Sequence, residues 1–383
     1  MTPQQFSSQL LQWYDQAGRH DLPWQSPKTP YRVWVSEIML QQTQVQTVLR
    51  YFTPFMQAFP TVEALAHADQ AAVLAYWSGL GYYARGRHLH QAAQMVVFER
   101  AGQWPQTLAE WQALPGVGRS TACAILAITQ NRCFAILDGN VKRVLARFDG
   151  IDQWPGQASV EKTLWQRAQT LMQTERCADY TQAIMDLGAS VCTRAHPKCD
   201  QCPVASACQA KAQNLTQVLP RPKPKKNKPT RFMIVWVLQR ASDQAVYLIQ
   251  KPSRGIWGGL WSLPEARLNK TQAPVSKQTQ AQMLDQEAYA QALSGLGESL
   301  PAADCDLIEW PSFKHTFTHY HLWVTPVFGG VPEDWVPPPP QSGVWDPGTQ
   351  GAWVAVASAL ERGLPAPIKQ VLKQLERDHG KTS

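Results

Sequence analysis

Two acidic residues have surroundings that would give their carboxyl groups opposite proton affinities. Glu37 stands in "EIMLQQTQV", among Ile38, Met39 and Leu40, and follows the largely apolar "YRVWVS". Apolar neighbours disfavour the charged form, so we expect a raised pKa and a protonated Glu37. Asp138 lies in "AILDGNVKRVLAR", before a basic helix. The N–H groups and dipole at a helix start favour the ionised form and should lower the pKa of Asp138.

A protonated acid beside a carboxylate anion suits the cleavage of a glycosidic bond. The acid protonates the leaving group, while the anion stabilises the positive, oxocarbenium-like sugar. Release of a base from an N-glycosidic bond fits this division. Each residue also has a simpler interpretation: Glu37 as part of a buried ion pair, and Asp138 as an ordinary helix N-cap.

The stretch "LPGVGRSTACAIL", Leu114 to Leu126, predicts a tight turn between two helices. Gly116 and Gly118 permit the turn, and its N–H groups lie at a helix start, where the dipole favours an anion such as a phosphate. An ordinary helical hairpin is the alternative. The apolar-x-Gly-apolar-Gly pattern is typical of the helix-hairpin-helix element, which binds the DNA backbone and not base edges.

Four of the eight cysteines form a compact C-x6-C-x2-C-x5-C array that also holds Arg194, His196 and Lys198. Four thiolates can bind either a [4Fe–4S] cluster or a tetrahedral zinc ion, and the spacing does not choose between them. The array consists of Cys192, Cys199, Cys202 and Cys208. The other four, which we interpret as core or incidental thiols, are Cys123, Cys133, Cys177 and Cys305.

Length and composition indicate a folded protein of two or three domains. The chain has 383 residues, of which 44% are hydrophobic and 16 are tryptophan, which excludes wholesale disorder. No apolar run reaches the length needed to cross a membrane, and the N-terminus lacks the pattern of a secretory signal. We therefore expect an intracellular protein with no membrane association.

The net charge of +7 is concentrated in one segment. Residues 211–231 contain seven Lys or Arg and no Asp or Glu. Within it, "LPRPKPKKNKPTR" alternates proline with lysine, so it should stay extended, and we place a basic linker at residues 213–230. Binding to a polyanion, a solvated linker and a nuclear address all fit such a run.

Stretches before the linker predict helices, and those after it predict a mixed fold. Apolar residues recur at three- and four-residue spacing in "PQQFSSQLLQWYDQAG" and "STACAILAIT", whereas "RFMIVWVLQ", "AVYLIQK" and "FTHYHLWVTPVF" are β-rich. We predict a helical catalytic domain over residues 1–212, with the cysteine loop at 192–208. An α/β domain over 231–375 and a tail at 376–383 follow.

Together these motifs resemble those of the helix-hairpin-helix, iron–sulfur DNA glycosylases, and most closely the MutY-type adenine DNA glycosylases. "LPW", "SEIMLQQTQV", "GLGYYARGR", "LPGVGRSTA", "ILDGNVKRV", "MDLGA" and the cysteine array occur in the family's order. The similarity covers most of residues 5–212 and continues, less closely, through 231–375. It implies an all-α helix-hairpin-helix glycosylase domain with a [4Fe–4S] cluster loop, joined to an α/β Nudix-like C-terminal domain.

The resemblance also implies roles for individual residues. Glu37 would protonate the adenine, Asp138 would stabilise the sugar cation and help to position water, and Asn140 would hydrogen-bond near that centre. Gln42 and Tyr82 would wedge into the duplex where the flipped adenine leaves the stack. The other implied DNA contacts are Gly116, Gly118, Ser120, Lys142, Arg194 and Lys198, and the implied cluster ligands are Cys192, Cys199, Cys202 and Cys208.

Within the family resemblance, Ser120 bears on which group attacks the sugar, a lysine or water. Relatives that also cut the strand, such as endonuclease III, carry a nucleophilic lysine directly after "GVGR", where this chain has Ser120. Water should therefore be the nucleophile. Lys142 would either trap the abasic product in a side reaction or, as a helical lysine beside Arg143, contact a phosphate.

The C-terminal domain should read a base without hydrolysing nucleotides. "GLWSLPE" begins like a Nudix box, with Gly259 and Glu265 six residues apart. The Arg-Glu pair expected next would fall on Ala273 and Pro274, so the acids that bind magnesium are missing.

The segment Phe317, Thr318 and His319 corresponds to the family's Phe-Ser-His loop, which recognises 8-oxoguanine. Threonine keeps the hydroxyl of serine but adds a methyl group. By period-two alternation, His315, His319 and His321 would share one strand face, where a metal site is the less favoured alternative to histidines without a ligand role.

The resemblance thus implies a monofunctional, adenine-specific DNA N-glycosylase in base excision repair, acting on adenine opposite 8-oxoguanine and opposite guanine. Its partner would be double-stranded DNA with that mispair. We expect a monomer, with repair or replication proteins as candidate partners, in the bacterial cytoplasm near the nucleoid or in a eukaryotic nucleus. The alternatives are a strand-cutting glycosylase, against which Ser120 argues, and a non-catalytic DNA-binding protein.

Overall fold

The computed structural model describes residues 1–172, 174–224, 227–252, 255–268, 307–335 and 350–379. The chain divides into two compact units. The first comprises Met1–Ala68 and Arg85–Lys225, and the second comprises Asp69–Ala84 and Lys226–Ser383. The short segment Asp69–Ala84 therefore groups with the C-terminal part of the chain, although it lies within the predicted helical domain.

Helices dominate the chain up to the linker. π-Helical turns at Met95–Glu99 and Leu187–Val191 extend α6 and α11, and 3-10 turns at Cys199–Gln201 and Ala205–Ala207 lie in the cysteine loop. The helix α5 belongs to the second unit. In chain order the helices are α1 (Pro3–Ala17), α2 (Pro30–Leu40), α3 (Val45–Ala58), α4 (Val62–His67), α5 (Gln70–Tyr76), α6 (Ala84–Gln94), α7 (Leu108–Gln112), α8 (Arg119–Gln130), α9 (Gly139–Phe148), α10 (Ala158–Leu171), α11 (Cys177–Asp186) and α12 (Gln209–Ala212).

Local signals explain where the two helices associated with the acids begin. α2 starts at Pro30, a residue that suits the first helical position, after Thr29, whose hydroxyl accepts a hydrogen bond from the Arg32 N–H. α9 starts after Asp138, whose Oδ1 accepts a hydrogen bond from the Val141 N–H at 2.8 Å. The simpler interpretation of Asp138 as an N-cap is therefore correct, and it leaves room for a second role.

An apolar core holds α9 in place within the first unit. α1 contributes Phe6 and Leu10, α9 contributes Val144 and Leu145, and α11 contributes Ile184, all of them buried. Burying each such side chain stabilises the fold by roughly 1.5–3 kcal/mol. The start of α9, with Asp138, is thus set by how the opposite face of the helix packs.

The described part of the second unit is built on a mixed sheet of eight strands. The strand order is β3-β2-β1-β7-β5, with β4 paired to β1, β6 to β7, and β8 to β2. Only β1 and β7 run parallel among these pairs, with Trp236 opposite Val327. The strands are β1 (Thr230–Arg240), β2 (Val246–Gln250), β3 (Trp261–Ser262), β4 (Glu265–Leu268), β5 (Ile308–Glu309), β6 (Phe313–Thr316), β7 (His321–Val331) and β8 (Gln350–Val354), followed by α13 (Val356–Glu361) and α14 (Ala366–His379).

β1 is buried on both faces, which explains its nearly continuous apolar sequence. Val235 and Val237 pack on one side in the same cluster as Leu372 of α14. Trp236 and Leu238 alternate with them and pack on the other side.

Both predicted fold classes are confirmed, because the first unit is helical and the second is mixed α/β. Leu219 is buried, although it falls in the predicted extended linker, and α14 continues through His379 into the predicted tail. No helix in the described ranges is long and apolar enough to cross a membrane.

The interpretation of Cys133 and Cys177 as incidental thiols is wrong. The two residues form a disulfide with their Cα atoms 5.1 Å apart. They are 44 residues apart in sequence, and only the packing of α11 beside the end of α8 brings them together. Cys123 is a buried core thiol, as predicted, and Cys305 lies outside the described residues.

Candidate active site

Glu37 and Asp138 lie near each other in the first unit. Glu37 is on α2, between the buried Ser36 and Ile38. Burial of its carboxyl group, with a smaller contribution from the negative charge of Asp138, raises the pKa of Glu37 to about 8. Glu37 therefore keeps its proton at neutral pH, which agrees with the sequence-based prediction.

The predicted direction of the pKa of Asp138 is wrong. Burial raises the pKa of Asp138 and outweighs its hydrogen bonds from the Val141 and Asn140 N–H groups and the positive charges of Arg143 and Lys142. The sequence predicted the cap and the cations but not how deeply the carboxyl group is buried. Those N–H groups and cations favour the anionic form of Asp138 and oppose the effect of burial.

Asn140 is fixed from two directions. Its Oδ1 accepts a hydrogen bond from Arg143 Nη2 at 2.8 Å, and the same nitrogen donates to the Gly188 carbonyl at 2.7 Å. A Cβ atom on Gly188 would lie 2.6 Å from the Asn140 Cβ. Gly188, in the "MDLGA" motif, therefore lets α11 and its π-helical extension approach the start of α9 closely.

Ser120 connects the hairpin to the segment that ends at Asp138. Its Oγ accepts a hydrogen bond from the Leu137 N–H at 3.1 Å. Leu137 is buried and directly precedes Asp138. The small side chain of Ser120 thus fixes the backbone of the candidate site.

The glycine turn has the shape that the sequence predicts. Gly116 adopts φ +78°, a conformation that favours glycine, while Leu114 and Val117 are buried and Gly116 and Gly118 are exposed. Gly118 caps α8 without a side-chain hydrogen bond, so this residue leaves the first N–H groups of α8 without a side-chain acceptor. Gln41 Nε2 donates to the Gly116 carbonyl at 3.2 Å and links this hairpin to the end of α2.

The two predicted wedge residues are both exposed and both adopt left-handed backbone conformations. Gln42 has φ +56°, and Tyr82, in the second unit, has φ +50° with a side chain that is 48% exposed. Residues other than glycine adopt such conformations at a cost and often at functional sites. The structure describes each residue within its own unit.

The four cysteines of the array border one cavity, with about 420 Å³ of empty space, part of it open to solvent. Burial, followed by the charges of the other three cysteines, raises the pKa of Cys202 to about 12. Four thiolates around one cavity therefore need a bound cation to stay ionised. In the described residues, no group of three or more His, Cys, Asp or Glu converges closely enough to hold a single metal ion.

The surroundings of this cavity fit an iron–sulfur cluster. Val144, Phe148 and Leu187 supply apolar walls. Arg147 Nη1 donates to Cys192 Sγ at 3.4 Å, the kind of N–H contact to sulfur that tunes such clusters. Four cysteine thiols on the lining of one cavity are the ligands that a [4Fe–4S] cluster requires.

Two of the predicted phosphate contacts are exposed on the cysteine loop, and a third is in an ion pair. The side chains of Arg194 and Lys198 are exposed. Lys142 Nζ lies 2.8 Å from Glu161 Oε1. Contact of Lys142 with DNA would therefore compete with Glu161.

The predicted reading segment forms the turn between β6 and β7. The Phe317 N–H donates to the Tyr320 carbonyl at 2.9 Å, and the Phe317 ring packs against Tyr320 and Trp257. Thr318 and His319 are exposed at the tip, with Thr318 Oγ1 3.3 Å from His319 Nδ1.

The prediction that three histidines share one strand face is wrong. His315 lies on β6, His319 lies in the turn, and His321 lies on β7. The chain reverses between Thr316 and His321, so period-two alternation does not carry across. The alternative of a histidine metal site loses its basis.

Glu265, the acid in the Nudix-like sequence "GLWSLPE", forms a buried ion pair with Lys251. Lys251 Nζ and Glu265 Oε1 are 2.5 Å apart, with both side chains almost fully buried. Ala273 and Pro274, where the box would continue, lie outside the described residues.

Comparisons with known proteins agree with this division. Residues 35–170 match the HhH-GPD superfamily of base excision DNA repair proteins, and residues 234–374 match the NUDIX domain. The adenine DNA glycosylase of Buchnera aphidicola subsp. Acyrthosiphon pisum (strain APS) is 32% identical over 378 residues, covering 99% of each chain. The chain belongs to the adenine DNA glycosylase family.

This adenine DNA glycosylase family member is also similar to a human protein and to a solved structure. The human adenine DNA glycosylase is 36% identical over 389 residues, covering 87% of this chain and 69% of the human one. A solved thermostable thymine-DNA glycosylase is 26% identical, covers 55% of this chain and 97% of its own, and has a TM-score of 0.49.

Three arginines of this family member support the site and were missed by sequence reasoning. Arg143 and Arg147 join α9 to the cysteine loop: Arg143 Nε donates to the Cys192 carbonyl at 2.8 Å, and Arg147 Nη1 donates to the Thr193 carbonyl at 2.7 Å. Arg85 binds the end of α2. A signal was present for Arg85 and Arg147, since both are flanked by apolar or small residues, but the sequence does not say which carbonyls the three arginines reach.

Proposed function

We propose that this chain removes adenine mispaired with 8-oxoguanine, and adenine opposite guanine, from double-stranded DNA by base flipping and hydrolysis of the N-glycosidic bond. The observation that carries the proposal is the pair of acids with a shared environment. Glu37 holds a proton at neutral pH, and Asp138, whose negative charge contributes to the raised pKa of Glu37, has cations and N–H groups that favour its anion against the effect of burial. An acid and an anion at one site are what departure of a base requires.

Glu37 supplies the proton. A purine leaves more readily once a ring nitrogen is protonated, because the bonding electrons then move onto a neutral base. With a pKa of about 8, Glu37 is mostly protonated at pH 7 yet acidic enough to donate. The adenine must be out of the stack for this transfer, since the bond is inaccessible inside paired DNA.

Asp138 supplies the negative charge. As the C–N bond breaks, the sugar becomes positive, and the Asp138 carboxylate, held by the Val141 N–H, stabilises it until water adds to the sugar carbon and gives its proton to the Glu37 carboxylate, which restores the acid. Asn140 is oriented by Arg143 beside this centre. Since Ser120 is hydrogen-bonded to the backbone and is a poor imine former, water is the nucleophile and the strand is not cut efficiently.

The cysteine array binds one [4Fe–4S] cluster. Cys192, Cys199, Cys202 and Cys208 would hold it, and when bound it supplies a rigid, charged anchor for the loop. The loop then presents Arg194 and Lys198 to phosphates. Purified protein should contain iron and acid-labile sulfide, and protein with zinc alone would contradict this part of the proposal.

The turn with Thr318 and His319 reads the base opposite the adenine. Its exposed hydroxyl and imidazole are the hydrogen-bonding groups at the tip, and the Phe317 ring anchors the turn beneath them. Lys228 Nζ donates to the Phe317 carbonyl at 2.9 Å and steadies the turn from the linker side.

The central test is single-turnover base release from adenine:8-oxoguanine, adenine:guanine and thymine:guanine duplexes. Glu37→Gln should abolish adenine release while leaving duplex affinity nearly unchanged, because it removes the proton and keeps the shape. Glu63→Gln, at an exposed acid on α4, is the matched control and should keep full activity. Undiminished release by Glu37→Gln would remove Glu37 from the mechanism, and release of thymine instead of adenine would overturn the substrate.

Borohydride trapping separates the proposal from its nearest alternative. A strand-cutting glycosylase forms a Schiff base with the abasic sugar, which borohydride reduces to a stable adduct. We expect only slow trapping compared with base release. Trapping as fast as adenine loss would mean that a lysine, not water, is the nucleophile.

The reading turn has its own test. Thr318→Ala combined with His319→Ala should reduce the preference for 8-oxoguanine over guanine several-fold, since each lost hydrogen bond costs about 1 kcal/mol. Thr316→Ala, on β6, is the control, because Thr316 Oγ1 pairs with His321 and not with the tip. Equal losses on both duplexes would contradict the reading role.

A further inference from the structure

Arg85 donates hydrogen bonds to four acceptors at the end of α2 and in the loop that follows it. Its side chain is only 8% exposed. Arg85 Nη1 donates to the carbonyl oxygens of Ile38 at 2.9 Å, Met39 at 2.7 Å and Gln41 at 2.5 Å, and Nη2 lies 3.0 Å from Thr43 Oγ1. One planar guanidinium thus spans the last turn of the helix that carries Glu37 and the loop after it.

α2 needs such a partner because its own sequence provides none at this end. A helix leaves its last carbonyls without intrahelical donors, and a cation there is also favoured by the helix dipole. α2 has no basic residue in its last turn and ends at Gln41 without a glycine cap. Arg85, from α6, fills this need from a distant part of the sequence.

The same contacts bracket Gln42. Its left-handed backbone, φ +56°, is unfavourable for a residue with a side chain and persists only where the surroundings hold it. Arg85 binds the residue on each side, through the Gln41 carbonyl and the Thr43 hydroxyl. Gln41 is held again by the Gly116 carbonyl and Thr121 Oγ1.

We infer that Arg85 is a positioning residue for base extrusion. It holds the Gln41–Thr43 loop so that the exposed Gln42 side chain points outward, ready to enter the duplex, and it ties that loop to the helix of Glu37. Extrusion of the adenine and delivery of the proton are thereby carried by one rigid segment. This inference rests on the proposed function and adds a residue that makes no contact with the base.

The test compares base extrusion with duplex binding in the full-length protein. Extrusion is followed by the fluorescence of 2-aminopurine in place of the adenine, base release by single turnover, and binding with a duplex that carries an abasic-site analogue and so has no base to extrude. Arg85→Lys keeps the positive charge, but a single ammonium group cannot reach both the α2 carbonyls and the Thr43 hydroxyl as the two guanidinium nitrogens do. Arg100→Lys, whose arginine binds the Gln103 carbonyl and Glu110, is the matched control.

We expect Arg85→Lys to reduce extrusion and base release about tenfold or more, while affinity for the abasic duplex changes by less than about threefold. Gln42→Ala should show the same pattern. Because the two residues act through one loop, the double variant should lose much less than the product of the single losses. The pH profile of the remaining activity should keep its shape, since Glu37 remains the acid.

Several outcomes would overturn the inference. Losses that multiply in the double variant, or equal losses in extrusion and abasic-duplex binding, would reduce Arg85 to a structural cap of α2. If Arg85→Lys does not fold, Thr43→Val removes the acceptor of Arg85 Nη2 together with the long 3.4 Å hydrogen bond from Thr43 Oγ1 to the Gln41 carbonyl, and unchanged extrusion in that variant would count against the inference. A wild-type protein that releases no adenine would defeat the proposed function itself, whereas an active wild type with an unaltered Arg85→Lys defeats only this inference.

Discussion

The proton on Glu37 should be visible in the stability of the protein as well as in its activity. Folding raises the pKa of Glu37 from 4.5 to about 8. Between these pH values the unfolded chain has lost a proton that the folded chain keeps, so the folded state binds more protons. The free energy of unfolding therefore falls as pH rises from about 4.5 to about 8, and this contribution is flat above and below that window.

Glu37→Gln removes this dependence and is expected to stabilise the protein. At about 1.4 kcal/mol per pH unit, the shift corresponds to roughly 5 kcal/mol at most. The side chain is partly exposed, so solvent screens the effect, and we expect about 2 kcal/mol above pH 8. For a unit of this size that is a rise of roughly 5 °C in Tm. The variant would thus gain stability as it loses base release.

The assay is thermal or denaturant unfolding of both proteins across pH 5 to 9, with Glu63→Gln as the exposed-acid control. The difference between Glu37→Gln and wild type should be small near pH 5 and should grow until about pH 8. The rate of base release by the wild type should fall as the pH rises through about 8, because Glu37 then loses its proton. A stability difference that is the same at both ends of the range would refute the assignment of a raised pKa to Glu37.

Two other perturbations test the disulfide and the backbone segment that precedes Asp138. Reducing the Cys133–Cys177 disulfide, or replacing Cys133 with serine, should lower the free energy of unfolding by up to about 4 kcal/mol, because the disulfide closes a loop of 44 residues. Thermal unfolding of the wild type with and without reductant measures this loss. A Tm that does not respond to reductant would contradict it. Ser120→Ala should slow base release several-fold, up to about tenfold, because it frees the Leu137 N–H before Asp138 and leaves the acids in place. Full activity in single-turnover assays would show that Asp138 does not depend on that bond.

The parts of the site that were predictable are those in which the residue type carries the chemistry. Glu37 among apolar residues and Asp138 at a helix start could be identified because each local sequence already sets the charge or the cap. The helical pattern before the linker and the β-rich runs after it predicted the two fold classes for the same reason, since both depend on short-range periodicity.

The errors share a different physical cause. The pKa of Asp138 depends on how deeply packing buries it, and the Cys133–Cys177 disulfide depends on two segments meeting in space. The histidine face failed because one turn at residues 317–320 reverses the chain. Arg85 shows the same limit from the other side, because its acceptors lie more than forty residues earlier in the chain. Such facts follow from tertiary contacts, which local patterns do not contain.

The cysteine loop is hydrogen-bonded to α9, the helix that carries Asp138, and so can affect base release without taking part in it. Asp138 and Asn140 lie at the start of this helix, and Arg143, one turn later, donates at once to Asn140, Gly188 and the Cys192 carbonyl. A guanidinium that loses one of three such acceptors is free to turn, and Asn140 then loses its fixed orientation. Loss of the proposed cluster from the cysteine loop should therefore slow base release by loosening the start of α9, even on duplexes that the protein still binds. Replacing Arg143 with lysine in cluster-loaded protein should reproduce that slowing, because it breaks the same link and leaves all four thiolates in place. If such a variant kept full base release, the loop would act through DNA binding alone.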